Sequence, residues 1–141
     1  MGIQIIQKIQ TSLPLINVDP ILIEQVLLNL IKNGLESMRD SKKSNLTLVV
    51  ESSKTEVIFS VHDDGPGVAS EIEDRLFESF FSTKSEGTGI GLNICRSVIE
   101  SHKGKLWFTN KTYGGCVFYF TIPIEKTRNI GGTVDTKKLS T

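Results

Sequence analysis

Asn29 and Asn33 stand four residues apart in EQVLLNLIKN, so a helix there would project both carboxamides from one face, one turn above the other. The carbonyl oxygen of Asn33 can ligate Mg²⁺, a cation that prefers hard oxygen donors and retains water or substrate oxygens, and the amide of Asn29 can donate to a phosphate. Spacing alone equally allows two solvated polar residues, with Glu24 near the same face either assisting or merely exposed. Further on, Asp63-Asp64-Gly65-Pro66-Gly67 ends a β-branched and aromatic run and reverses the chain. A buried carboxylate at a strand end can accept a hydrogen bond from an exocyclic amine, while glycines let a flat base lie against the backbone, a description that adenine meets. Asp63, spaced from Gly65 and Gly67 as Asp-x-Gly-x-Gly, is the candidate, whereas Asp64 faces solvent or supports the turn. A third group, Gly87, Gly89 and Gly91, directly precedes an apolar helical pattern made by Leu92, Ile94, Val98 and Ile99. Glycines open backbone N–H groups to phosphate oxygens, and a following helix adds unpaired donors and the positive end of its dipole. Lys84, in the polar loop before these glycines, is a cation within reach of the same phosphates.

Such residues need elements to hold them. From Pro20 the positions Ile23, Val26, Leu27, Leu30, Ile31 and Leu35 follow helical spacing, with Asp19 as N-cap and Pro20 in the first turn, and the helix ends near Arg39. Residues 3–9 suggest an edge strand, and Leu46–Glu51 and Glu56–His62 read as a hairpin across the polar turn SSKT. SEIEDRLFESFF returns to a short helical pattern, and STKSEGTG reads as a mobile, Gly-containing loop. A second long helix runs from about Ile90 to His102, and KLWFTN and CVFYFTIPI form two further strands joined by KTYGG. Phe77, Phe80 and Phe81 read as packing anchors. This order of elements predicts an α+β fold, a two-layer sandwich in which a mixed sheet is covered on one face by helices. Because the strands come as adjacent hairpins, a doubly wound dinucleotide-binding sheet fits poorly.

At 141 residues, 38% apolar and 23% charged, the chain suits a single domain with its own core, assigned to 1–125, followed by a polar tail over 126–141. Sixteen basic residues balance sixteen acidic ones, so no global field draws it to nucleic acid or to an anionic membrane, and any anion site must be local. Cys95 and Cys116 lack the close spacing of a zinc site and read as reduced core residues of a cytoplasmic protein. No apolar run approaches the roughly 20 residues that span a bilayer, so no direct membrane contact is expected, although the parent protein can still be membrane-anchored.

Together these stretches resemble the catalytic ATP-binding domain of sensor histidine kinases, within the superfamily shared with DNA gyrase, heat-shock chaperone ATPases and mismatch-repair ATPases. EQVLLNLIKNGLESM is similar to the N box, HDDGPGV to the first glycine box, LFESFF to the F box and GTGIGL to the second glycine box, all in the family's order. The resemblance implies the Bergerat ATP-binding fold with ATP and Mg²⁺ as cofactors. In it Asn33 coordinates the metal, Asn29 helps hold the phosphates and Asp63 recognises the adenine amino group beside Gly65 and Gly67. Residues 82–88 would form an ATP lid, with Lys84, Gly87, Thr88, Gly89, Gly91 and Leu92 around the phosphates, and Asn29 and Lys84 are the candidate catalytic residues.

In the gyrase-like branch, the residue one turn before the metal-binding asparagine is a glutamate that activates water. Here it is Asn29, which takes no proton at neutral pH, so phosphoryl transfer to a histidine is expected over fast hydrolysis. Ser79, Gly34 and Cys116 depart from the family's usual proline, alanine and small hydroxyl residue. Residues 1–18 hold no histidine and are too few for a dimerising helical hairpin, and His62 and His102 read as structural, so the chain looks like a fragment of a longer sensor kinase. Its expected partners are a histidine-bearing dimerisation domain and a response regulator receiver domain. The alternatives are a stand-alone serine kinase of the anti-sigma-factor type and a nucleotide-sensing module without transfer.

Overall fold

The computed structural model describes residues 3–40, 45–78 and 91–125. In chain order the elements are β1 (Gln4–Ile9), α1 (Pro20–Ser37), β2 (Asn45–Ser52), β3 (Glu56–Asp63), a 3-10 turn (Ser70–Arg75), α2 (Gly91–Ser101), β4 (Leu106–Asn110) and β5 (Cys116–Pro123). The five strands form one sheet in the order β1-β2-β3-β5-β4, with β1 parallel to β2 and every other pair antiparallel. The parallel pair is possible because α1 supplies the crossover between β1 and β2. The expected edge strand, both hairpins, both long helices and the mixed sheet with helices on one face are all present.

Helix boundaries follow their caps. The side chain of Asp19 accepts from the N–H groups of Ile21 and Leu22 at 3.0 and 3.2 Å, which satisfies two donors at the open end of α1. The helix stops at Ser37, short of Arg39, with Met38 as its C-cap. At the far end of α2, Lys103 takes φ +66° and Gly104 donates to Ile99 at 2.9 Å, a Schellman closure with lysine in the left-handed position. Where a helix was expected over SEIEDRLFESFF, the described part holds only the 3-10 turn, and Ser79, Phe80 and Phe81 lie outside the described residues.

Strand alternation sorts side chains between the sheet's two faces. Leu46, Val61, Phe118, Phe120, Ile122 and Leu106 meet Ile23, Val26 and Leu30 of α1 and Cys95 and Ile99 of α2 in one apolar core. Phe59 stacks on the fully buried Phe120, ring centroids 4.4 Å apart. His102 ties the two helices together: its Nε2 accepts the N–H of Asp19 at 3.0 Å while Nδ1 donates to the carbonyl of Val98 at 2.8 Å. Both cysteines are free and buried, as expected.

The position of β5, between β3 and β4, sets up the site. Register pairs Asp63 with Cys116 and Cys116 with Asn110, so three strands end side by side at one rim of the sheet.

Candidate functional site

Asp63 is the last residue of β3 and is 3% exposed. Burial pushes its carboxyl above the ordinary value, against the pull of the Gly65 N–H, the Lys111 ammonium, the Cys116 backbone and the Ser37 hydroxyl. One carboxylate oxygen, Oδ1, accepts the N–H of Gly65 at 2.9 Å and so shapes the turn that follows. The other, Oδ2, faces α1 at Gly34, where a Cβ would sit 3.8 Å from it and 3.5 Å from Asp63 Cβ. A carboxylate placed this way retains an acceptor for a polar ligand edge, in a setting where an unmatched ligand donor would be costly.

The missing methyl at Gly34 has a local explanation. An added Cβ would lie 2.6 Å from Cδ1 of the fully buried Leu46, so that leucine fills the space an alanine would take. Gly65 is required by α1 as well, since a Cβ there would stand 2.6 Å from Ser37 Oγ and 2.9 Å from the Ser37 carbonyl. Gly67 has φ +83°, a conformation that favours glycine, and its open side is closed by Asn110 Oδ1 and the Gly115 carbonyl.

Asn29 and Asn33 lie on α1 as expected, both half-buried, while Glu24 is exposed. Asn29 Nδ2 donates to Cys95 Sγ at 3.6 Å, and its Oδ1 and Cγ lie 3.9 Å from where a Cβ on Gly91 would be. This brings Asn29 beside the first residue of α2, the end at which a helix dipole favours an anion. One helix therefore carries both groups: Asn29 at the start of α2, and the turn bearing Asn33 and Gly34 against Asp63. Five residues separate Asn29 from Gly34, a rise of about 7.5 Å along the axis. Leu92, next on α2, is half-buried against the core. Lys84, Gly87, Thr88 and Gly89 lie outside the described residues, as do the whole expected lid and the 126–141 tail.

Other expectations resolve as packing. Phe77 tilts against Phe108 at 6.4 Å and carries the guanidinium of Arg96 over its ring at 4.5 Å, which joins the 3-10 region to α2. His62, although next to Asp63 in sequence, belongs to the sheet's opposite face, where it meets Ser60 Oγ at 3.0 Å and the ring of Tyr119. Asp64 supports the turn through Lys111, whose Nζ donates to Asp64 Oδ1 at 3.3 Å.

Sequence reasoning passed over four contributors: Asn110, Lys111, Gly115 and Met38. Asn110 holds the backbone of Val68 by both halves of its carboxamide, and Met38 Sδ accepts the N–H of Asp64 at 3.3 Å. The only local signal was the pair Gly114-Gly115 in KTYGG, which marked a tight turn without revealing what it approaches. Among the described residues, no cluster of three or more His, Cys, Asp or Glu could hold a metal, so a divalent ion here would rely on an amide oxygen and on the ligand's own oxygens.

The family described as "Histidine kinase-, DNA gyrase B-, and HSP90-like ATPase" matches residues 18–126. The C4-dicarboxylate transport sensor protein DctS of Rhodobacter capsulatus is 42% identical over 124 residues, which is 86% of this chain and 19% of that protein. The adaptive-response sensory kinase SasA of Prochlorococcus marinus is 37% identical over 133 residues, covering 91% of this chain and 35% of its own length. The chain thus spans only a minor part of these relatives. Among solved structures, the nucleotide-free catalytic domain of histidine kinase ThkA matches with a TM-score of 0.76 at 34% identity, covering 86% of this chain and 80% of that one. Full-length ShkA in complex with AMPPNP matches with a TM-score of 0.74 at 30% identity, covering 86% of this chain and 26% of that one.

Proposed function

The chain belongs to the histidine kinase-, DNA gyrase B- and HSP90-like ATPase family as a catalytic domain of the histidine-kinase type, and from that premise we propose that it binds Mg·ATP between α1, α2 and the Asp63–Val68 turn and directs the γ-phosphoryl group to a histidine on a separate dimerisation domain. The phosphohistidine would then supply the receiver domain of a response regulator. The observation that carries this reading is the arrangement along α1, with Asn29 against the N-terminus of α2 and Gly34 against a buried aspartate. The nucleotide analogue in the ShkA structure supports placing a nucleotide in this fold.

Each residue has a distinct task in this reading. Asp63 accepts from the adenine amino group through the oxygen that Gly65 leaves free, and Gly65 and Gly67 let the base approach the backbone. Asn33 offers its amide oxygen to Mg²⁺, and Asn29 orients a phosphate beside the donors of Gly91 and Leu92. When bound, Mg·ATP supplies the phosphoryl group and the cation charge that offsets its negative oxygens. Asn29 accepts no proton at neutral pH and so activates no water, which leaves the triphosphate for an incoming imidazole. Lys84, Gly87, Thr88 and Gly89 are assigned to the phosphates by their place in the second glycine box and the loop before it. Residues 1–125 are proposed to be the domain and the location cytoplasmic, where ATP and the receiver domain are found. Among the described residues no helix is long and apolar enough to cross a membrane.

The test is direct. The chain is mixed with the histidine-bearing domain of its own kinase and ATP labelled at the γ-position. Acid-labile, alkali-stable label on that domain, lost with Asn29→Ala, is the expected result. ATP binding with no label on histidine overturns the kinase reading, and acid-stable label would point to a hydroxyl acceptor.

A further inference from the structure

The Asp63–Val68 turn is held from outside by the last residue of β4 and the first of the β4–β5 connection. Asn110 closes β4, and its carboxamide meets Val68 in both directions: Nδ2 donates to the Val68 carbonyl at 2.8 Å, and Oδ1 accepts the Val68 N–H at 2.8 Å. This is the pairing of one more β-bridge, made by a side chain. Lys111 takes the other end of the turn, with Nζ donating to Asp64 Oδ1 at 3.3 Å, while its own N–H bonds the Gly115 carbonyl at 2.9 Å. Between these grips lies Gly67 at φ +83°, where a Cβ would stand 2.9 Å from Asn110 Oδ1 and 3.2 Å from the Gly115 carbonyl. Proline at 66 and glycines at 65 and 67 leave the turn few side chains of its own with which to define a shape.

Resting on the nucleotide reading above, we infer that Asn110 is a positioning residue for nucleobase recognition. By bonding both polar groups of Val68 it fixes the turn that carries the Gly65 N–H, and that N–H in turn fixes which oxygen of Asp63 is left for the base. Asn110 touches neither nucleobase nor phosphate in this account. Its effect is confined to the Asp63 end of the site, because Asn29 and the start of α2 are held by other contacts.

The side chain's two functions can be separated. Asn110→Asp keeps the shape and the acceptor for the Val68 N–H, yet loses the donor and sets a carboxylate oxygen against the Val68 carbonyl. Asn110→Ala removes both bonds. Binding of Mg·ATP, Mg·GTP and Mg·tripolyphosphate to the full chain is measured by calorimetry, with folding checked by circular dichroism. For each variant that folds, ATP affinity is expected to fall about tenfold, from the loss of one or two hydrogen bonds that order the turn. The preference for ATP over GTP should shrink, and tripolyphosphate, which lacks a base, should bind as it does to the parent. In the Asp63→Asn background, Asn110→Asp should cost little more, since both act on one contact. ATP affinity within twofold of the parent, an equal loss of ATP and tripolyphosphate, or failure of both variants to fold would each overturn the inference. If Asp63→Asn itself binds ATP like the parent, the base-site reading fails. If that variant loses ATP while the Asn110 variants do not, only the positioning role falls.

Discussion

Gly114 and Gly115 offer an internal comparison, because both have φ +101° and differ only in what lies beside them. Alanine at either position is forced into a backbone region that costs on the order of 1–3 kcal/mol, partly offset by about 0.4–1 kcal/mol from a stiffer unfolded chain. These contributions are the same at the two sites and cancel in the difference. A Cβ on Gly114 makes only an ordinary van der Waals contact, with the Gly65 carbonyl oxygen at 3.8 Å. A Cβ on Gly115 collides with the carbonyl oxygen of Asp63 and lies 3.2 Å from both Asp63 C and Lys111 Cδ. Relief requires β3 and β5 to part at their last rung, Asp63 with Cys116, and strains the bond from Lys111 N–H to the Gly115 carbonyl. Overpacking of this kind costs roughly 1–3 kcal/mol, so Gly115→Ala should be about 2 kcal/mol less stable than Gly114→Ala. Urea unfolding of the two variants, followed by circular dichroism, measures the difference directly. Gly115→Ala should also weaken Mg·ATP, because the displaced atom belongs to Asp63, while Gly114→Ala should not. Equal stability losses within about 0.5 kcal/mol would refute the close approach of the β4–β5 turn to β3.

Three further outcomes follow from the same geometry. Burial holds the His62 imidazole below its ordinary value of 6.5, with Lys111 and Lys8 adding to the effect and Glu51 opposing it. The native state therefore favours neutral His62, whose contribution is complete above pH 6.5 and is lost as pH falls from there through the lower native value. His62→Gln should accordingly lose less stability than the parent between about pH 7.5 and about pH 5 in urea titrations, and identical losses would contradict this. Burial, with the Asp63 carboxylate as the next cause, pushes the Cys116 thiol up to about 12, and burial also raises Cys95. Iodoacetamide at about pH 8 should therefore label neither cysteine until urea unfolds the chain, and rapid labelling of the native protein would be the contrary result. Asn33→Ala should reduce ATP affinity in the presence of Mg²⁺ to the parent's magnesium-free level, whereas a full magnesium enhancement in the variant would remove Asn33 from the metal.

What was legible in the sequence was local. Asn29 and Asn33 share a helix face because four residues make about one turn, and Asp19 announces its cap by standing directly before Pro20. Asp63 closes an apolar run and precedes a Gly-Pro-Gly turn, so its buried position at the strand end could be anticipated. What was hidden depends on strands distant in sequence. Nothing in KLWFTN says that β5 will lie between β3 and β4, so nothing there says that Asn110 will end beside Val68, 42 residues away. Lys111 reaches Asp64, 47 residues away, for the same reason. His62 read as structural although it abuts Asp63, and the two-residue period of a strand, which sends adjacent side chains to opposite faces, is the reason it is. Gly34, where the resemblance leads one to expect alanine, has its reason in Leu46, on a strand that follows it, which occupies the volume a Cβ would take.

Recognition of the base is assigned to Asp63 as its acceptor. Calorimetric titration of Mg·ATP into the parent chain and into Asp63→Asn tests it, with Mg·tripolyphosphate as the ligand that has no base. Exchanging the carboxyl for a carboxamide whose oxygen stays on the Gly65 N–H sets an NH₂ donor against the base amine, and an unmatched buried donor costs about 1–3 kcal/mol, a loss of roughly 5- to 150-fold in ATP affinity. Tripolyphosphate should bind both proteins alike. A folded Asp63→Asn chain that binds Mg·ATP as tightly as the parent would contradict the central claim.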